Sequence, residues 1–222
     1  MKLNKDDIVY LNNFLSKELV YRETYNEIQD HILSALEQYP DNATFESAFR
    51  DIINTQFRGT AGLRAIDRQY RKFGVTEMRK RYLNHIADML KFPSVVYLAM
   101  LLIAAFFFFN YIAANVLAHI GIFIVVSGFP GIVNGIRYIK TGYYYGSVKR
   151  SVSDDGFRFL KYVPGVIYVI FTFYLWRMHF QPASLINTVQ PGVATTVFTI
   201  YFLHALAFYK LYKEEFKVTL AK

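Results

Sequence analysis

Two histidines, His119 and His204, lie within long apolar stretches of the sequence. Histidines facing each other in a helical bundle can ligate haem iron. Counted from the outer ends of their expected spans, however, their levels differ by roughly 12 Å at 1.5 Å per residue. Two axial ligands of one iron would have to lie at the same level. We therefore expect no cofactor and no metal, and a haem- or quinone-binding protein is the least favoured hypothesis.

The sequence contains none of the motifs that typically identify a catalytic site. It has no HExxH, no GxSxG and no phosphate-binding loop, and no paired carboxylates spaced for acid–base chemistry. Cysteine is absent, which excludes thiolate chemistry and Cys-ligated metals. We expect no catalytic residue, and the protein is predicted not to be an enzyme.

Residues 92–136 form an unbroken stretch of 45 residues without Asp, Glu, Lys or Arg. A bilayer core about 30 Å thick takes about 20 apolar residues, so this stretch is long enough for two membrane spans. Two further apolar segments follow it. The predicted architecture is all-α, a small cytoplasmic helical domain followed by a four-helix transmembrane bundle, with spans at about 93–111, 115–135, 162–180 and 191–209.

Small residues recur on one side of the second span. Gly128, Gly131 and Gly135 surround Pro130 at spacings that let helix backbones approach closely. We predict that these glycines pack against a neighbouring helix, and a hinge at the proline is the alternative. Proton transport is disfavoured, because no acid or lysine lies within the predicted spans.

Basic residues are concentrated on one side of the predicted spans. The flanks 61–91, 137–161 and 210–222 hold 8, 6 and 4 Lys/Arg, whereas the opposite turns hold only Arg177. The positive-inside rule then places both termini in the cytoplasm, with 212–222 as a cytoplasmic tail. No apolar run in the first ninety residues is long enough for a cleavable signal, which agrees with this orientation.

The net charge of +8 comes from these flanks, since residues 1–60 carry six Lys/Arg against ten Asp/Glu. We therefore expect the basic blocks to meet anionic lipid headgroups and expect no nucleic acid partner. The residues predicted to contact the membrane surface are Arg79, Lys80, Arg81, Arg137, Lys140, Lys149 and Arg150.

Residues 1–91 are predicted to form a helical domain that ends in a basic juxtamembrane helix. Asn4 is expected to cap a first helix that ends near Lys17, and a second is stopped by Pro40. A third helix is expected to follow a cap at Thr44 or Asn42. Gln56 to Gly62 is read as an interruption, and Gly74 as the end of a fourth helix before a fifth. His31 is expected to make a local hydrogen bond.

The segments LNKDDIVYLNNFL, YRETYNEIQDHILSALE and FESAFRDII together resemble a known helical prefix. It is the HAAS or permease-prefix domain, found ahead of multi-pass segments in bacterial membrane proteins, here most similar to Bacteroidota-type proteins of unassigned function. The resemblance covers about the first 55 residues and rests on Tyr-Arg-Glu, Asp30-His31 and Ala35-Leu36-Glu37. It implies a regulated membrane complex, a transport system or envelope signalling.

These observations favour an integral protein of the bacterial inner membrane that acts as an accessory, sensory or regulatory subunit. The N-terminal domain is expected to bind a protein partner. The alternative is a small oligomeric permease or lipid-handling protein, in which the three glycines would join copies of the chain.

Overall fold

A computed structural model of the chain describes residues 1, 3–40, 42–112, 116–140, 149–158, 160, 162, 165 and 191–220; for 112, 116–120 and 216–220 it describes the backbone alone. Most of these residues are helical, and no strand occurs among them beyond an isolated β-bridge between Tyr21 and Arg150. The helices are α1 (Lys5–Glu18), α2 (Arg22–Glu37), α3 (Phe45–Gln56), α4 (Gly59–Met89), α5 (Ser94–Phe107) with a π-helical turn at Phe108–Ile112, α6 (Val116–Lys140) and α7 (Pro191–Leu220). The all-α prediction is thus confirmed for this part of the chain.

The chain divides into two units, and each is described by itself below. The first, called the N-terminal unit below, comprises Met1–Glu77 and Thr141–Gly156. The other, called the second unit, comprises Met78–Lys140 and Phe157–Lys222. This division follows internal contacts, which do not mark where a membrane begins. The predicted domain boundary at residue 91 therefore stays a prediction.

The first helix of the N-terminal unit starts at a capping box. The Asn4 side chain accepts a hydrogen bond from the Asp7 amide at 2.7 Å, and the Asp7 carboxylate accepts one from the Asn4 amide at 3.0 Å. Two otherwise unpaired amides of the helix end are satisfied in this way. Of the two predicted caps for α3, Thr44 is the one used, with its hydroxyl on the Ser47 amide at 3.4 Å.

Helices α1, α2, α3 and the start of α4 enclose the core of the N-terminal unit. Its members come from positions spaced by three or four residues, as an amphipathic helix requires. Seven of these side chains are at most 1% exposed: Leu11, Leu15, Ile32, Leu36, Ala48, Ile52 and Leu63. The apolar side chains of this unit are therefore buried in its own core, away from its surroundings.

Helix α4 corrects the prediction of two separate helices around Gly74, because it runs without interruption from Gly59 to Met89. A mid-helix glycine weakens a helix by about 1 kcal/mol relative to alanine without ending it. A Cβ on Gly74 would lie 2.4 Å from Val152 Cγ1, so the missing side chain makes room for the segment 149–156. Phe73, which lies at helical spacing with the apolar residues Leu63 and Ile66, is 72% exposed.

The predicted interruption at Gln56 to Gly62 is also shorter than expected, since only Phe57 and Arg58 separate α3 from α4. The chain turns there through positive φ values of 57° at Arg58 and 76° at Gly59. A Cβ on Gly62 would lie 1.7 Å from the Phe57 carbonyl oxygen, so only glycine fits at this point of the turn.

Three helices of the second unit are long and apolar enough to cross a membrane, over Ser94–Tyr111, Gly121–Lys140 and Pro191–Glu215. They correspond to the first, second and fourth predicted spans. The third predicted span, 162–180, lies almost entirely outside the described residues, so a four-helix bundle stays a prediction. The segment 212–220, predicted as a tail, continues α7 as helix.

Candidate functional site

Tyr82 and His204 form a buried polar pair in the second unit. Helix α4 provides the tyrosine and α7 the histidine, and Tyr82 Oη lies 2.5 Å from His204 Nδ1. Their side chains are 7% and 4% exposed, within a cluster that contains Phe157, Phe208 and Leu211. Two polar groups in such surroundings are stable only when they satisfy each other, and this hydrogen bond joins α4 to α7.

The second ring nitrogen of His204, Nε2, is buried without a hydrogen-bond partner among the described residues, and so is Asn134 Oδ1 on α6. Burial raises the pKa of Tyr82 to about 12, so its hydroxyl stays protonated at neutral pH. The pair thus offers uncharged hydrogen-bonding groups and no strong base.

Only Nε2 of His204 would be left to bind a metal or ligand, because Nδ1 is engaged by Tyr82. The side chain of His119 lies outside the described residues. Within the described part of the chain, no three His, Cys, Asp or Glu side chains are grouped to hold a metal ion. These residues therefore provide no second iron ligand beside His204 for the haem hypothesis.

A second polar cluster lies in the N-terminal unit and is centred on Asp155. Its carboxylate accepts hydrogen bonds from Tyr21 Oη at 2.7 Å and Arg71 Nε at 2.6 Å, and pairs with the Arg150 guanidinium. Burial alone would raise the pKa of Asp155, but the bonds from Tyr21 and Arg71 and the positive charges of Arg150 and Arg71 outweigh it and lower this pKa. Burial, followed by the Asp155 bond, raises the pKa of Tyr21 to about 12.

The side chain of Lys149 caps the C-terminal end of α1. Its Nζ donates to the carbonyl oxygens of Leu19 at 2.6 Å and Ser16 at 3.3 Å, and it lies 4.7 Å from the centre of the Tyr25 ring. A cation at this position satisfies carbonyls that have no partner in the helix and complements the helix dipole. The partial burial of the ammonium lowers its pKa.

Two more carboxylates bind backbone amides near this cluster. Glu23 accepts from Ser151 Oγ at 2.5 Å and from the Val152 amide at 3.1 Å, and Asp67 accepts from the Val20 amide at 3.1 Å. The segment 149–156 is thus held on α1, α2 and the first part of α4 by charge-assisted hydrogen bonds. Lys149 and Arg150, predicted to touch the membrane surface, are used in these contacts.

The other basic residues of that prediction lie in three kinds of surroundings. Arg79, Lys80 and Lys140 are exposed on their helices. Arg81 pairs with Glu215 at 3.2 Å. Arg137 is only 4% exposed, and its guanidinium lies 4.5 Å from the centre of the Phe157 ring. The contact of these residues with lipid stays a prediction.

Gly128, Gly131 and Gly135 face open space. A Cβ built on any of them would meet nothing within 4 Å, so no described helix packs closely against them. The predicted packing role would have to involve a partner beyond the described residues.

Sequence reasoning missed Asp155, Asp67 and the pairing of Tyr82. The pattern SVSDDG places two adjacent acids in a loop, which is ordinary for a solvated turn, and Tyr82 lies at helical spacing with Met78 and Ile86, which is ordinary for a core position. Their partners are remote in the chain, 134 residues apart for Tyr21 and Asp155 and 122 for Tyr82 and His204. His31 does make a hydrogen bond, but not the local one predicted: its Nε2 lies 3.0 Å from Oε1 of Gln56, at the end of α3.

The described residues thus define a helical protein with three helices able to cross a membrane. Comparison with protein-family models, curated proteins and solved structures finds no match for the chain.

Proposed function

We propose that the protein is an integral protein of the bacterial inner membrane whose N-terminal helical unit binds a protein partner, so that it acts as an accessory or regulatory subunit. The observation that supports this most is the self-contained core of that unit, which α1, α2, α3 and the start of α4 enclose without help from the apolar helices. A unit folded in this way is available to bind a partner in the aqueous phase.

The charge of the chain agrees with this arrangement. Residues 1–60 are net negative, and basic residues dominate beside the apolar helices. Acidic side chains exposed on the N-terminal helices, such as Asp30, Glu37 and Glu46, would be repelled by an anionic membrane surface and left facing solvent. The resemblance to the HAAS prefix is consistent with the same proposal and carries no catalytic residue with it.

An exposed apolar stretch on α1 is the surface most suited to contact the partner. Ile8, Val9 and Tyr10 are 39%, 56% and 54% exposed, and Tyr10 stacks edge-on against Phe45 and Phe49. The ring is held in place before binding, which lowers the entropic cost of contact. We propose that a complementary apolar surface with basic residues at its rim covers this stretch, because Asp6 and Glu46 beside it are exposed acids.

The test compares two valines that are each 56% exposed, Val9 on α1 and Val20 after it. Purification of the tagged chain from native membranes should return one stoichiometric companion. We expect Val9→Gln to lose most of that companion and Val20→Gln to retain it, with unchanged far-ultraviolet circular dichroism for both. The absence of any stoichiometric companion, or equal loss in both variants, would contradict the proposal.

A further inference from the structure

A groove of about 360 Å³ lies between α5 and α7 in the second unit. Its walls are apolar and come from Leu98 and Leu101 on α5 and from Phe202, Leu203 and Leu206 on α7. The volume lies in the range of small-molecule sites, which is about 300–1,000 Å³. A groove with these walls suits a hydrocarbon chain.

Among the residues that line this groove, the polar side chains Ser94, Tyr97 and Lys210 come from the first turn of α5 and from the later part of α7. Ser94 begins α5, and Lys210 lies one helical turn beyond Leu206 on α7. Both line the same groove, so the start of α5 lies beside the later part of α7. Leu101 is seven residues from Ser94, or about 10 Å along the helix, so the groove has a cationic end and a hydrocarbon end.

The charge at the polar end favours an anion. Lys210 is exposed, and the neighbouring carboxylate of Asp88 is already paired with Lys91 at 2.7 Å. That ion pair, followed by the charges of His85 and Lys210, lowers the pKa of Asp88. The Lys210 ammonium therefore has its charge available for a ligand, at the level where a lysine beside an apolar helix reaches toward headgroups.

We infer that this groove binds one anionic phospholipid, with an acyl chain between α5 and α7 and the phosphate on Lys210. The inference is independent of the proposed partner of the N-terminal unit. Hydrocarbon is what surrounds helices in a bilayer, and a basic pocket between spans selects negatively charged headgroups from it.

The experiment is native mass spectrometry of the full chain in detergent, with phosphatidylglycerol and phosphatidylcholine of identical acyl chains as probes. We expect one bound lipid per chain and about fivefold tighter retention of phosphatidylglycerol, the size expected for one lysine near a membrane surface. Lys210→Gln should remove this preference. Lys213→Gln, which changes another exposed lysine on α7, should leave it unchanged.

Two further arms separate the acyl chain from the headgroup. Leu101→Trp should reduce retention of both lipids by filling the groove, and the milder Leu101→Phe provides the same test if the tryptophan variant does not fold. Excess inorganic phosphate should not displace the lipid. Equal retention of the two lipids by the original chain, equal losses in Lys210→Gln and Lys213→Gln, or displacement by phosphate alone would overturn the inference.

Discussion

The N-terminal unit and helix α5 use apolar residues in opposite ways. Leu11, Leu15 and Leu36 in the first are fully buried, whereas in the window Ser94–Tyr111 only 11% of the residues are buried. An isolated exposed leucine is ordinary on a protein surface, but a whole helix of exposed apolar side chains is not. The N-terminal unit therefore encloses its own apolar interior, whereas α5 depends on an apolar environment outside itself.

The two regions also differ in how they treat charge. In the N-terminal unit, carboxylates such as Asp155 and Glu23 are held by several donors each and tie remote segments together. Between Phe92 and Ile136 there is no charged residue at all, and helix contacts are made by rings such as Phe109, which stacks on Phe123 with centroids 6.1 Å apart. Water permits the first arrangement and lipid favours the second.

The largest difference in stability between the two regions is expected when one isoleucine of each is replaced by alanine. Ile32→Ala, at a fully buried position, should destabilise the N-terminal unit by about 2–5 kcal/mol, because it leaves a cavity. Ile103→Ala, at a position 59% exposed on α5, should change stability by less than about 0.5 kcal/mol. Pulse proteolysis of the full chain in detergent, across a urea series, measures both. Similar losses of stability in the two variants would contradict the difference between the two regions.

An introduced aspartate is expected to have its larger effect in α5 and its smaller effect in the N-terminal unit. Ile103→Asp should disfavour membrane insertion of α5 by about 2.5–3.5 kcal/mol, since a carboxylate is poorly tolerated at the centre of a span. Phe73→Asp, at a position 72% exposed in the N-terminal unit, should have little effect. Membrane fractionation and a translocation reporter placed after α5 give the readout. Normal insertion of the Ile103 variant would argue against this span.

Glycine-to-alanine changes sharpen the same contrast through packing. Gly62→Ala should destabilise the N-terminal unit by about 1–3 kcal/mol or more, because the new Cβ meets the Phe57 carbonyl oxygen. Gly131→Ala meets nothing within 4 Å, so the stability of the single chain should not fall. Thermal unfolding in detergent tests the pair. Analytical ultracentrifugation of the Gly131 variant tests, in addition, whether copies of the chain associate through that face.

The Asp155 cluster predicts a dependence of stability on pH. The folded state lowers the pKa of this carboxyl below its ordinary value of 3.8, so its contribution is present above that value and is lost as pH falls through the folded-state pKa. Asp155→Asn should cost about 1–3 kcal/mol at pH 7 and less in strong acid. Urea unfolding at a series of pH values measures this, with exposed Asp30→Asn as the control. A constant difference across pH would contradict the assignment.

The smallest expected effect concerns the hydrogen bond between Tyr82 and His204. Tyr82→Phe keeps the ring and removes the hydroxyl, leaving His204 Nδ1 without its donor or acceptor. The cost should be about 1 kcal/mol. A double-mutant cycle with His204→Leu isolates the pairwise term, and a coupling energy near zero would show that the two side chains are independent.

The helices and the apolar segments could largely be predicted from the sequence alone. Ile28, Ile32 and Leu36 recur at helical spacing, and the stretch from Phe92 to Ile136 has no charge to place in lipid. Both signals are local, since they depend on neighbours within a few turns, and the structure confirms helices in both stretches, those of the second being long and apolar enough to cross a membrane. The prediction that a helix ends at Gly74 was wrong, because a single glycine weakens a helix without necessarily ending it.

Which remote groups meet depends on the tertiary fold. The Cβ-free surface of Gly74 accepts Val152, Asp155 receives Tyr21 and Arg71, and His204 is paired with Tyr82. Such contacts depend on the path of the chain over more than seventy residues. Periodicity and composition report only on a residue's near neighbours, so they contain no information about these pairs.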